Sequence, residues 1–475
     1  MARLAPDGRR VLQTRSVRGR FGRSHVPGTF DPSVPLNEEN RLNPMKARFL
    51  AGSTALVLGA AALAGCSAGG SGGSGDSGDG NVTMTLWQNS TTGEGQQFWK
   101  NAAADFTKAN PKVTIKVQSI QNEDLDGKLQ TALNSGDAPD IFLQRGGGKM
   151  AAMVAAGQLM DLTGKVDSTV QKELGEAALG ADSLDDKLYA MPLTIQPGGF
   201  FYSQDLFKQA GITETPASID DLSAAVDKLK GIGVAPIALG AKAAWPAAHW
   251  YYFFALRECD SKVLEKATTD KDFSDKCWIK AGEDLQKFSD TKPYNEGFLT
   301  TEPQQGAGSS AGLVANHKAA MELMGAWDAG VIADLTPDKK PLPDLGWFPF
   351  PEISGGKGEP GSILGGVDGY SCSVNAPKEC VDFLNFVATA EQQTKYYQAF
   401  HTLPANSTAQ ESVTEPFLQS IRDAVNSAPF VSQWLDTLYG QNVGNALNVG
   451  VVDMLAGKGD PDSIVQSVAD AAKKA

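Results

Sequence analysis

The stretch VTMTLWQNSTTGEGQQFWKNAAADFTKANPKVTIKVQSIQNEDLDGKLQTALNSGDAPDIFLQ, residues 82–144, decides the fold class. Val82 to Leu86 alternates and predicts a strand. From Glu94 to Ala109, Phe98, Ala102, Phe106 and Ala109 fall on one helical face, and Asn110-Pro111 stops the helix. Val113 to Val117 alternates again. Leu125, Leu129 and Leu133 recur at helical spacing between Glu123 and Ser135, and Ile141-Phe142-Leu143 is a short apolar strand. The order β-α-β-α-β is that of an α/β open sheet flanked by helices, which binds ligands beyond the carboxyl ends of its strands.

A second series follows. Gly199 to Tyr202 predicts a strand. Ser218 heads a helix with Leu222, Val226 and Leu229 on its face and Asp221 as the acid of a capping box. Val234 to Leu239 is strand-like, and Ala247 to Arg257 and Trp278 to Phe288 are helical. Ala319 to Met324 and Leu345 to Phe350 are strand candidates expected to return to the first sheet; beyond Gly369 the pattern is mainly helical. The part after residue 65 is too long for one core, and two facing α/β lobes make a cleft.

The first 65 residues differ from the rest. They hold ten basic and four acidic residues, so a chain of net charge −13 has +6 there and −19 beyond. An acidic body argues against a phosphate-binding surface and hence against nucleic acid as a partner. Residues 1–44 show no sustained period and are expected to be disordered, an over-extended start that is not translated; a twin-arginine signal at Arg9-Arg10 is the weaker alternative. Met45 to Arg48 is a short basic segment, and Phe49 to Leu63 is uncharged and shorter than the ~20 residues of a membrane span. Residues 45–65 therefore predict a secretory signal peptide. Leu63-Ala64-Gly65-Cys66 resembles a lipoprotein cleavage site, with the Cys66 thiol as lipid anchor, and the Ser, Gly and Asp of 66–80 form a flexible tether.

Of five cysteines, four remain. Among their three connectivities, Cys259–Cys277 with Cys372–Cys380 closes the shortest loops and is the expected one in an oxidising compartment. The histidines His249, His317 and His401 have no metal-ligand spacing, so no metal and no cofactor are expected.

Candidate chemistry lies in the strand-end loops: Trp87-Gln88-Asn89 and Gln144-Arg145 followed by Gly146-Gly147-Gly148-Lys149. The glycine run fails as a P-loop, because Leu143 stands where the first glycine belongs and Met150 follows the lysine. Trp245 to Tyr252 is rich in rings, Trp327-Asp328 follows a strand candidate, and Gly365 to Tyr370 combines glycines with Asp368. Rings stack on the C–H faces of sugars, and Asp, Asn, Gln and Arg suit their hydroxyls. A glycoside hydrolase would need two carboxylates from Glu94, Glu322, Asp328 or Asp368; a structural or adhesion lipoprotein is the remaining alternative.

The segments at 82–87, FTKANPKVTIKV at 106–117, LNSGDAPDIFLQRGGGKMAAMVAAGQLMDLT at 133–163, YAMPLTIQPGGFFYSQDLFKQAGI at 189–212, AAMELMGAWDAG at 319–330 and LGGVDGYSCSVNAPKECVDFLNFVATAEQQTKYYQAFHTLPAN at 364–406 together resemble the solute-binding proteins of ABC sugar importers, the maltodextrin-binding-like family, over essentially all of 82–475. The glycine run and MELMGAW look most like actinobacterial members for xylo-oligosaccharides. The resemblance implies two lobes, 81–194 with 308–368 and 195–307 with 369–475, crossing near Thr194–Gln196, 300–312 and Gly366–Tyr370. It implies that Trp87, Gln88, Asn89, Gln144, Arg145, Trp245, Trp327, Asp328 and Asp368 face the cleft. It further implies a monomer, not an enzyme, that binds an oligosaccharide, meets the membrane through its lipid anchor only, and serves ABC permease subunits.

Overall fold

The computed structural model describes residues 80–474. The leader 1–44, the signal peptide 45–65, the Cys66 anchor and nearly all of the tether lie outside the described residues. Val82–Gln88 (β1) pairs in parallel with Val113–Ser119 (β2) on one side and Ile141–Gln144 (β3) on the other. The intervening helices, Gly93–Ala109 and Asn122–Ser135, bury most of the faces that their spacing indicated, Phe98, Ala102 and Phe106 in the first and Leu125 and Leu129 in the second, while Ala109 is exposed and Leu133 half-buried; Trp99, off the indicated face, is buried as well.

The connection between lobes rests on one long strand. Met191–Ser203 (β4) runs for 13 residues. Its first half belongs to the first sheet. Its second half, from Gly198, pairs antiparallel with Ala319–Gly325 (β6) and with Leu345–Phe348 (β7), while Ala235–Ala238 (β5) joins β6 in parallel. Ile363–Cys372 (β8) lies antiparallel to both β4 and β3, so two adjacent strands bridge the lobes. Leu403–Pro404 adds a third segment against Ile195 and Thr194. The sequence shows only Gly199 to Tyr202 as a strand because Pro192 and Pro197 interrupt the pattern. In the fold they oppose Gly369 and Gly365, and each costs the strand one donor.

Three expectations need correction. The strands β6 and β7 do not return to the first sheet; they complete the second, and Met321, Leu323, Phe348 and Phe350 share a core with Trp250 and Phe253. The expected crossing at 300–312 is instead a second-lobe feature, since Ala311, Val314 and Ala315 pack on Ala238 and Met324. The segment from Tyr370 to Ala405 belongs to the first lobe, where Tyr370, Phe383, Leu384 and Tyr396 pack on Met84, Phe98 and Trp99. The order of strand pairing is non-local, and periodicity carries no information about it.

Cys259 and Cys277 are disulfide-bonded, with Cα atoms 5.2 Å apart, as are Cys372 and Cys380 at 6.1 Å. One bridge ties a helix end in each lobe. No helix among the described residues is long and apolar enough to cross a membrane.

Candidate functional site

The carboxyl ends of β1 and β3, the bridging strands and the start of the helix Trp245–Glu258 converge on a cavity of about 690 Å³ between the lobes. That size falls within the ~300–1,000 Å³ of small-molecule sites. One wall is aromatic. Trp245 and Trp327 have ring centroids 6.1 Å apart, Trp327 and Trp434 5.6 Å, and His249 stacks on Trp434 at 4.1 Å and 23°. The turn that delivers Trp327 requires glycine: a Cβ on Gly325 would sit 2.0 Å from the Trp327 ring. Burial holds the His249 imidazole down at about 4, so it is neutral near pH 7. The buried indole N–H groups of Trp245 and Trp434 have no hydrogen-bond partner among the described residues.

The facing wall is charged and internally paired. Arg145 donates through Nη1 to Asp126 Oδ1 at 2.7 Å and through Nη2 to Asn122 Oδ1 at 2.5 Å, while Lys149 Nζ lies 2.8 Å from Asp126 Oδ2. Burial alone would raise the Asp126 carboxyl; the Arg145 and Lys149 charges outweigh it and hold the group down at about 2. Asp368 is pushed up to about 6 by burial, against the pull of Arg145. Behind it, fully buried Asp182 lies well above the usual carboxylate range, through burial and then the Asp368 charge. Arg145 itself is raised: burial opposes its charge, but Asp126, Asp368 and Asp436 more than compensate.

Of the residues expected in the cleft, Asn89, Arg145, Trp245, Trp327 and Asp368 line the cavity. The other four do not. Trp87 packs beside two cores. Gln88 is buried and donates to Ser119 Oγ at 2.6 Å. Gln144 is buried, accepting from the Arg145 N–H at 2.9 Å. Asp328 is buried beside Glu322 beneath the Trp327 turn; burial raises it to about 7 and, together with the Asp328 charge, puts Glu322 well above its usual range. Gln88, Gln144 and Asp328 are each next in sequence to a cavity-lining residue, Asn89, Arg145 and Trp327, and Trp87 is two positions from Asn89. Sequence reading also missed Trp434 and Asp436, in a stretch read as helical. The signal was present, since tryptophan followed closely by aspartate also marks Trp327-Asp328.

The glycosidase pairing does not assemble. Of its four candidate carboxylates only Asp368 lines the cavity; Glu94 is exposed, and Glu322 and Asp328 are buried.

Residues 89–394 match the family described as bacterial extracellular solute-binding protein. A multiple sugar-binding protein of Streptococcus mutans is 26% identical over 310 residues, 63% of this chain and 69% of that one. The diacetylchitobiose-binding protein of Streptomyces coelicolor is 26% identical over 294 residues, 60% and 64% of the two chains. A structure from work on xylan utilization by Caldanaerobius polysaccharolyticus superposes with a TM-score of 0.75 at 25% identity, covering 82% of this chain and 99% of that one.

Proposed function

The chain belongs to the bacterial extracellular solute-binding proteins and is a sugar-binding component of an ABC transporter, a receptor and not an enzyme, and from that premise we propose a lipid-anchored monomer that captures a short oligosaccharide outside the membrane and passes it to ABC permease subunits. The observation that carries the ligand class is the pairing of walls: a cluster of aromatic rings faces a charged wall across an interlobe cavity. Rings would take the C–H faces of the sugar, and Arg145, Asp368 and Asn89 its hydroxyls. Closure of the lobes then binds without chemistry, and the ligand biases the hinge by its higher affinity for the closed form. The xylan-related neighbour and the glycine run make xylo-oligosaccharides the first choice. The Leu63-Ala64-Gly65-Cys66 sequence supports the anchor.

Calorimetry of the purified body with xylotriose, diacetylchitobiose and raffinose, followed by product analysis, tests this reading. Saturable heat with one of them and no cleavage is expected. Turnover, or no heat with any, would overturn it.

A further inference from the structure

The two walls come from different lobes, and something must set the distance between them. The Gln433 amide reaches from one to the other. Its Nε2 donates to the Arg145 carbonyl oxygen at 2.6 Å, and its Oε1 accepts from the backbone N–H of Trp434 at 2.9 Å. Arg145 anchors the charged wall and Trp434 the aromatic one, where it stacks on His249 and meets Trp327 edge-on. The amide sits in a notch left by a glycine of β8, for a Cβ on Gly366 would be 2.3 Å from Gln433 Oε1.

A second observation concerns the seam beside this bond. The helix Gly147–Ala155 opens directly against the backbone at 437–440 of the other lobe. A Cβ on Gly148 would lie 2.7 Å from the Leu438 carbonyl oxygen and 2.8 Å from the Gly440 nitrogen. Gly148 does not need glycine for its own backbone, because its φ is outside the left-handed range. Glycine is also a poor helix residue. Its presence there is explained by clearance between lobes and by nothing local.

We infer that Gln433 is a positioning residue that fixes the separation of the two walls of the cleft in the closed form, and that Gly148 provides the clearance for that approach. The inference rests on the cleft being the ligand site. The Gln433–Arg145 bond joins the lobes, so it exists only when they are together, and it adds to the closed state alone. Losing it lowers the population competent to hold ligand, and apparent affinity falls in proportion.

Three variants test this. Gln433→Ala removes both bonds. Gln433→Glu keeps the acceptor for Trp434 but sets a carboxylate against the Arg145 carbonyl. Gly148→Ala touches neither ligand wall, improves the local helix and props the seam open. Each is measured for xylotriose binding and release, for the ligand-free radius of gyration by X-ray scattering, and for ligand-free guanidinium unfolding. The expected result is binding weaker by about threefold to tenfold, the net worth of one hydrogen bond, arising from faster release. The ligand-free radius of gyration rises, and the unfolding midpoint of Gly148→Ala does not fall. Affinities within twofold of the parent in all three, or an unchanged ligand-free radius of gyration, would overturn the inference. If the parent protein fails to bind xylotriose, the choice of sugar is wrong, and the ligand-free scattering still decides on the latch.

Discussion

The two walls of the cleft are built on opposite principles. On the charged side Asp126 meets two cations, and Arg145 meets Asp126 and Asn122. On the aromatic side the rings are held by packing, and two buried indole donors stand unused. A wall whose groups are satisfied is rigid and orients a ligand, but binding must compete with bonds already made. A wall of rings gives up no bonds of its own when a ligand stacks on it. Affinity should therefore come mainly from the rings and specificity from the charges.

The largest effect should come from breaking the charged wall. Arg145→Ala leaves Asp126 with one cation in a partly buried site. Unfolding stability should fall by about 3 kcal/mol, the lower end of the range for a broken buried pair, in denaturant titration near pH 7. The same wall holds two carboxyls that titrate with opposite sign. Asp126 is lowered, so its contribution is present above the usual carboxylate value near 4 and lost as pH falls toward about 2. Asp368 is raised, so its ionisation costs the fold stability as pH rises from about 4 to about 6. Asp368→Asn should thus gain on the parent over that interval, levelling off above it at about 3 kcal/mol, measured as ligand-free unfolding against pH. A constant difference at all pH values would remove Asp368 from this account.

On the aromatic wall, Trp327→Ala should weaken sugar binding by about 1–3 kcal/mol in calorimetry. Trp434→Phe replaces the indole with a smaller phenyl ring, removing the N–H and part of the stacking area; it should cost about 1 kcal/mol of affinity. Unchanged affinity in Trp327→Ala would mean that its ring does not stack on the ligand.

The first lobe was the more legible in sequence, for a physical reason. Its strands alternate with helices between residues 82 and 144, so each element carries its own period and stop signal. The second lobe borrows β4 from the first and completes its sheet with β6 and β7, far apart in sequence. Local pattern located β6 and β7 but could not assign them to a sheet, and Pro192 and Pro197 hid the strand that joins the lobes. The site was legible by residue type and not by direction. Trp327 and Arg145 were recognisable as cleft residues, but their neighbours Asp328 and Gln144 point into the core. In both places one position along the backbone separates a ligand-facing group from a structural one.

Co-crystallisation with whichever of the three test sugars binds most tightly addresses the central claim most directly. The expected result is an intact oligosaccharide between the lobes, its rings against Trp245, Trp327 or Trp434 and its hydroxyls toward Arg145 and Asp368. A sugar bound outside this cavity, or one cleaved within it, would contradict the account.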